Sequence, residues 1–398
     1  MPFSSRLHWD LAPNPLSRLL DEQRRRGRAI VDLTISNSTR ANLELGGRAL
    51  LEWLARPDAL LYEPSPTGLL AAREAVAGYH ARSGAQVSPQ DVVLTASTSE
   101  AYAFLFKVLA DCGERILVPR PSYPLFEFLA AVEGLGTDGY DLDYDGTWRI
   151  DFDSLAKAAE ARTRAVVCVH PNNPTGSYLK AAERDRLLRF CAERGLALIV
   201  DEVFFDFPIA PVEASAGSFV GTQSEASVFV LSGLSKVAGL PQMKLSWICL
   251  GGPPEIRRAA HTRLEHVADL FLSVATPVQQ AAPELLSAGF VTQVQAAICR
   301  RIRGNRALLD RRFAAPSWIS ALKTEGGWYA VLELPAVRSA EDWCMDLLAH
   351  DGVHAHPGHL FDFRSEAYVV VSLLTPEDPF AAGIEAIERC VERSLVKR

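Results

Sequence analysis

The chain has 398 residues, 48% hydrophobic and 22% charged, with a net charge of −7 at pH 7. That length exceeds one small core, so two domains are expected of an ordinary globular composition. Basic residues are scattered, which leaves no electrostatic footprint for nucleic acid or an anionic membrane, and no stretch reaches the roughly 18 apolar residues of a membrane span.

Residues 1–10 lack an apolar run of signal length. Leu16, Leu19 and Leu20 at helical spacing predict a helix over 15–26, with the basic run Arg24, Arg25, Arg26 and Arg28 as its solvated end. Short β-branched runs then alternate with helical patterns: strands are expected at 92–95, 116–118, 165–169, 196–200, 228–231 and 247–250. Helices are expected between them, such as 100–110, ended by Gly113, and 181–194, ended by Gly195. Nearly continuous apolar strands between helices imply an α/β fold with a mostly parallel sheet sandwiched by helices, whose ligands bind outside the carboxyl ends of the strands. A long helical pattern follows at 277–312, then strands at 328–334 and 368–373 and helices at 340–350 and 380–394. We read a large domain over 44–285 and a smaller α+β domain from both chain ends, 1–43 and 286–398. Seven cysteines, odd in number and never paired as C-x-x-C, point to a reducing compartment and away from structural zinc, so no metal and a cytoplasmic location are expected.

Chemistry concentrates at the strand ends. Lys236 closes Leu-Ser-Gly-Leu-Ser-Lys at 231–236, flanked by Leu234, Val237 and Ala238. Partial desolvation there favours a neutral, nucleophilic amine that can hold a carbonyl cofactor as a Schiff base. Asp201 ends the apolar run 196–200, and a carboxylate at that place can pair with a protonated pyridine nitrogen. Asn173, in Pro-Asn-Asn-Pro-Thr-Gly at 171–176, follows another strand, with its amide available to a phenolic oxygen. Ser97 and Thr98 open a helix whose free N–H groups and dipole suit a phosphate. Taken singly, each has a plainer reading as a tight turn, a helix cap or a surface charge. Together they read as a pyridoxal phosphate site.

Pro171 to Gly176, Asp201-Glu202, Ser235-Lys236 and the Pro-Ser-Tyr-Pro turn at 121–124 resemble, in order and spacing, the class I/II aminotransferases of the pyridoxal-phosphate fold type I superfamily. Tyr62-Glu63-Pro64 with Gly68 and Arg73, and Pro357-Gly358 with Phe361, extend the resemblance over most of the chain. It implies that Lys236 is the Schiff-base lysine and proton shuttle, and that Asp201 pairs with the pyridine nitrogen. Asn173 would hold the phenolic oxygen and Tyr123 would stack on the ring. Ser97, Thr98 and Ser232 or Ser235 would cradle the phosphate. Tyr62 would reach the phosphate of a neighbouring subunit, so a homodimer with shared active sites is implied.

Three positions depart from the family's pattern. The tyrosine expected three residues after the aspartate is Phe204, which removes a donor to the phenolic oxygen. The arginine expected eight residues after the lysine is Lys244, a point charge without the bidentate fork. The arginine expected for the substrate α-carboxylate is Val370. Arg40, with Asn37 in the same N-terminal segment, is the best replacement, and Arg364 is second. Asp269 falls where some members present a charge to the substrate side chain. The expected activity is aminotransfer between an amino acid or related amine and a 2-oxo acid. An eliminating or cyclising lyase is the alternative, and a non-catalytic module that kept the fold is a third reading.

Overall fold

The computed structural model describes residues 4–396 apart from 8, 10, 11, 213, 214, 315, 365 and 366. After a short strand β1 (Val31–Asp32), eight strands form the central sheet: β2 (Val92–Thr95), β3 (Arg115–Arg120), β4 (Gly136–Tyr144), β5 (Trp148–Ile150), β6 (Thr163–Val169), β7 (Ala197–Asp201), β8 (Val228–Gly233) and β9 (Ser246–Gly251). Their spatial order is β2-β9-β8-β7-β6-β3-β4-β5. Pairing is parallel from β8 through β7, β6 and β3 to β4. β9 runs antiparallel to both neighbours, and β5 antiparallel to β4.

Every residue of β2, β7, β8 and β9 is buried, the signature of strands covered on both faces. Alternate side chains feed separate cores. Val93, Ile116, Val167 and Ile199 meet Phe104 and Leu105 of the helix Thr98–Leu109 and Leu264 of the helix Pro254–Phe271. Leu94, Leu117, Val166 and Leu198 face the other way, toward Val76, Leu187 and Ala281, in a core continuous with the small sheet.

That small sheet has the order β10-β11-β14-β13, formed by β10 (Ser320–Ala321), β11 (Tyr329–Glu333), β13 (His356–Pro357) and β14 (Tyr368–Ser372) and antiparallel throughout; β12 (Val353–His354) lies outside it. The chain ends meet where β1 pairs in parallel with β12, Val31 opposite Val353.

All six strands expected in the alternating region form. β4 and β5 were not foreseen, because Gly136 to Tyr144 carries three aspartates and two glycines and only part of it is buried. The helical pattern at 277–312 resolves into two helices, Thr276–Leu285 and Ala288–Arg312, the second started by Ser287, whose Oγ accepts from the Phe290 N–H. The pattern at 340–350 is an α-helix, Ala340–Asp346, that widens over Leu347–Asp351 and stops at the left-handed Gly352. No described helix is long and apolar enough to cross a membrane.

Candidate active site

The carboxyl ends of β2, β3, β6, β7 and β8 lie along one edge of the sheet, and each is followed within a few residues by a chemically active side chain. They open on a cleft of roughly 710 Å³, mouth included, lined by Thr98, Tyr123, Asn173, Asp201, Phe204, Ser235, Lys236 and Tyr329 among others.

Lys236 lies in the single helical turn Leu234–Val237 that follows β8. Gly233 precedes it because β9 passes too close for a side chain: a Cβ there would stand 2.2 Å from the Ser246 Oγ. Loss of bulk water lowers the Lys236 amine to about 8, with the Asp201 carboxylate opposing the shift. About a tenth of the amine is therefore neutral at pH 7. Its Nζ stands 4.8 Å from the ring centre of Trp328 and 5.4 Å from that of Phe204.

Asp201 ends β7 and is buried. The Tyr102 hydroxyl donates to Oδ2 at 3.0 Å and the Val203 N–H to Oδ1 at 3.0 Å. Burial still raises the acid to about 6, against the pull of those two donors and of Lys236. The neighbouring Glu202 faces away from this chemistry. It takes hydrogen bonds from the Ser218 hydroxyl and the Phe219 N–H, and burial raises it to about 8.

The two asparagines after β6 divide their labour. Asn172 is saturated: its amide donates to the Pro121 carbonyl and the Thr175 hydroxyl, and its oxygen accepts from the Ser122 hydroxyl. It locks the 171–176 turn to the loop that carries Tyr123. Asn173 lines the cleft, and its Oδ1 is buried with no hydrogen-bond partner among the described residues. Tyr123 also lines the cleft, edge-on to Phe126 with ring centres 5.7 Å apart.

The helix Thr98–Leu109 starts at the same edge. Ser97 caps it, its Oγ accepting from the Glu100 N–H at 3.1 Å, and Thr98 lines the cleft. Ser235 lines it as well, whereas Ser232 is buried within β8 opposite Trp247. Lys244 is exposed with a left-handed backbone, φ 51°, and is not among the lining residues. Tyr62 is 71% exposed and lies beside Pro64, Leu94 and Ser273 in a separate depression.

The N-terminal segment folds over the cleft because Ser38 donates to the Gly239 carbonyl at 2.6 Å, just beyond Lys236. This brings Ser36 into the lining, where it hydrogen-bonds the Tyr329 hydroxyl. The Asn37 oxygen is occupied as a cap, accepting from the Thr39 N–H and hydroxyl. Arg40 ends that short turn, its N–H on the Asn37 carbonyl, and its exposed side chain makes no hydrogen bond or ion pair to a described residue. Arg364 is exposed and its guanidinium is held on the carboxylate of Asp141. Asp269 is exposed on the last turn of the helix Pro254–Phe271. None of these last three lines the cleft. Val370 is wholly buried in β14, opposite Val331 and His356.

Trp328, Tyr329, Ser36 and Ser246 were not foreseen at the site. Ser246 had a signal, since a strand starting one residue earlier than expected places it opposite Gly233. Trp328 and Ser36 are brought in by long-range packing, for which local spacing carries no sign.

Residues 30–378 match the family described as aminotransferase class I and II. The chain is similar to a probable aminotransferase of Arabidopsis thaliana, 30% identical over 311 residues that make up 75% of this chain and 67% of that one. An S-alkyl-thiohydroximate lyase of the same plant is 31% identical over 55% of this chain and 48% of its own. In fold, the chain is similar to alanine aminotransferase from Pyrococcus furiosus, with a TM-score of 0.88 over 98% of this chain and 100% of that one, at 23% identity. With its sheet-edge lysine, aspartate and asparagine in one cleft, the chain belongs to the class I and II aminotransferases, a family that depends on pyridoxal phosphate.

Proposed function

We propose that this chain binds pyridoxal phosphate in the Lys236 cleft and moves an amino group between an amino acid or related amine and a 2-oxo acid. The observation that carries the reading is the convergence of three side chains from successive strand ends: the desolvated Lys236 amine, the buried Asp201 carboxylate and the unpartnered Asn173 amide. The residues fit the group, since the Asn173 amide makes no side-chain hydrogen bond to a described residue and can turn its N–H toward a phenolic oxygen, and the strand-end Asp201 carboxylate, with no paired cation other than Lys236, can accept from a ring N–H. When bound, pyridoxal phosphate supplies a ring that stores the electron pair left when the donor's α-carbon loses its proton.

Each residue then has a task. Lys236 would hold the cofactor through Nζ and, when free of it, would carry the proton at Nζ. Its value near 8 lets it both take and return that proton at neutral pH. Asp201 would hold a ring N–H as the ionised partner, and Tyr102 and the Val203 N–H keep the carboxylate oriented. Asn173 turns its amide toward the phenolic oxygen, and Tyr123 covers a ring face. The helix start at Ser97 and Thr98, with Ser235 and Ser232, receives the phosphate, and Lys244 is its cation. Arg40, with Asn37 beside it, meets the substrate carboxylate ahead of Arg364, and Asp269 meets a basic side chain. A homodimer completes the site: Tyr62 projects from a surface that also exposes Leu60 and Leu61, and reaches the phosphate of the neighbouring subunit.

A second reading, elimination rather than transfer, draws on the similarity to the plant lyase. One experiment separates them. Purified protein loaded with pyridoxal phosphate is mixed with single amines, without a 2-oxo acid, while the visible absorbance of the lysine-linked cofactor is followed. A transaminase bleaches that band permanently and releases one equivalent of 2-oxo acid, and a lyase bleaches it transiently. Protein that develops no such band on loading refutes both.

A further inference from the structure

The Lys236 amine lies over two adjoining aromatic rings, Trp328 and Phe204, which meet each other edge-on, and no carboxylate or carbonyl of the described residues accepts a hydrogen bond from it. We propose that Trp328 and Phe204 form an aromatic clamp that positions the Lys236 amine and favours its charged form whenever the lysine is free of the cofactor. An ammonium over an aromatic face within about 6 Å of its centre is attracted by the ring quadrupole, most strongly for Trp and most where water is excluded. Both conditions hold, with Trp328 only 1% exposed and Phe204 4%.

The clamp is built rather than incidental. Trp328 packs edge-on to Phe204 and to Phe207, with ring centres 5.4 and 5.2 Å apart. Its backbone carbonyl accepts from the Leu373 N–H at 2.7 Å. Gly176 and Gly326 allow the approach: the Gly326 N–H donates to the Gly176 carbonyl at 2.9 Å, a Cβ on Gly176 would meet the Gly326 oxygen, and a Cβ on Gly326 would meet the Tyr178 ring. This contact joins the Asn173 turn to the strand that delivers the indole. The indole Nε1 makes no hydrogen bond to a described residue, so the polar handle of Trp328 does not account for its place, whereas its ring face does.

The other groups facing the amine make the balance explicit. Asp201 at the end of β7 is the one carboxylate coupled to it. Tyr123 and Tyr329 line the same cleft with hydroxyls that burial keeps protonated. Thr98, Asn173, Ser235 and Ser246 are uncharged. Burial penalises the ammonium, and Asp201 with the two rings restores it. Once the free Lys236 amine has taken a proton, the ammonium would thereby be held at a fixed point from which it can return that proton.

The inference rests on Lys236 being the reactive amine, but its test needs no cofactor and so fails separately from the proposed function. Full-length protein freed of pyridoxal phosphate is treated with trace acetic anhydride across pH, and acetylation of Lys236 is followed by mass spectrometry with the exposed Lys244 as internal reference. The wild-type midpoint is expected near 8. W328L keeps an apolar wall but removes the ring face, so the ammonium loses support and the midpoint falls by about one pH unit. W328F keeps a ring and recovers most of it, and F204L shifts in the same direction as W328L. A midpoint unchanged or raised in both W328L and F204L, or lowered equally in W328F, overturns the clamp and leaves the rings as desolvating walls. Should W328L fail to fold, F204L and W328F decide the matter.

Discussion

The Tyr102 hydroxyl donates to the Asp201 carboxylate at 3.0 Å from the same helix whose first turn borders the cleft at Thr98. One helix thus orients the acid at one end of the site and offers its amino terminus at the other. The acid is kept at a cost to the fold, because burial raises it to about 6.

That cost is measurable. A carboxyl group whose folded pKa lies above its unfolded value leaves the folded state binding more protons, so stability falls as pH rises between about 4 and 6 and stays lower above it. In the cofactor-free chain, D201N removes the buried charge and is expected to raise unfolding free energy at pH 8 by up to about 3 kcal/mol, with little gain at pH 4. Urea unfolding at the two pH values checks this. The same variant, loaded with pyridoxal phosphate, is expected to lose at least about a hundredfold in turnover. Stability unchanged at pH 8 would show that Asp201 is compensated by a group other than those named.

Asn172 and Asn173 offer a paired test of the division between scaffold and site. N172A strips three hydrogen bonds from a buried turn and strands the Pro121 carbonyl and the Ser122 hydroxyl, while the Thr175 hydroxyl keeps Ser177. It is expected to cost about 2 to 4 kcal/mol in thermal or urea unfolding. N173A removes an amide whose oxygen has no described partner, so stability is expected to stay within about 1 kcal/mol while pyridoxal phosphate binds at least about tenfold more weakly. Equilibrium dialysis of the cofactor against both variants reads the second effect. Equal loss of stability in both variants would assign Asn173 to the scaffold.

Phe204 supplies a ring where the family's pattern places a phenol. On the proposed reading, a phenolic oxygen without that donor would rely on Asn173, and a proton shared with the lysine link would be held more tightly. The long-wavelength absorbance of the loaded enzyme is therefore expected to persist through neutral pH. F204Y restores a donor and is expected to lower the midpoint of that transition by about one pH unit or more. A wild-type transition already complete below neutral pH contradicts this account.

Legibility of the chain followed the range of the forces involved. The strand ends carrying Asp201, Asn173 and Lys236 were readable because continuous apolar runs bounded by short motifs are local signals, and the same holds for the helix Ala181–Arg194 with Gly195 at its left-handed end. The strand Gly136–Tyr144 was not, because its pairing with β3 is satisfied by backbone hydrogen bonds while its side chains are largely polar. Trp328 was readable as part of a strand but not as a neighbour of Lys236, since the Gly176–Gly326 approach that delivers it spans 150 residues of chain. The absence of a motif signal at Ser36 has the same origin, in the Ser38 to Gly239 bond.

The same long-range packing bears on how a substrate carboxylate is met. Val370 is locked between Val331 and His356 inside the small sheet, so no simple rotation brings a cation from that strand to the cleft. Arg364 is committed to Asp141, which also accepts from the Ser154 hydroxyl, and breaking that pair to reach a substrate would strand a buried carboxylate. Arg40 has no such commitment and follows Ser36, which already lines the cleft, on the segment anchored by Ser38. R40A is therefore expected to raise the KM of a carboxylate-bearing donor by about tenfold or more and to leave the KM of the matching decarboxylated amine nearly unchanged. R364A is expected to leave both KM values within about twofold and to lower stability, because the buried Asp141 carboxylate is then left with the Ser154 hydroxyl as its side-chain partner. Steady-state kinetics on one acid and amine pair decides the order, and a selective KM effect from R364A with none from R40A reverses it.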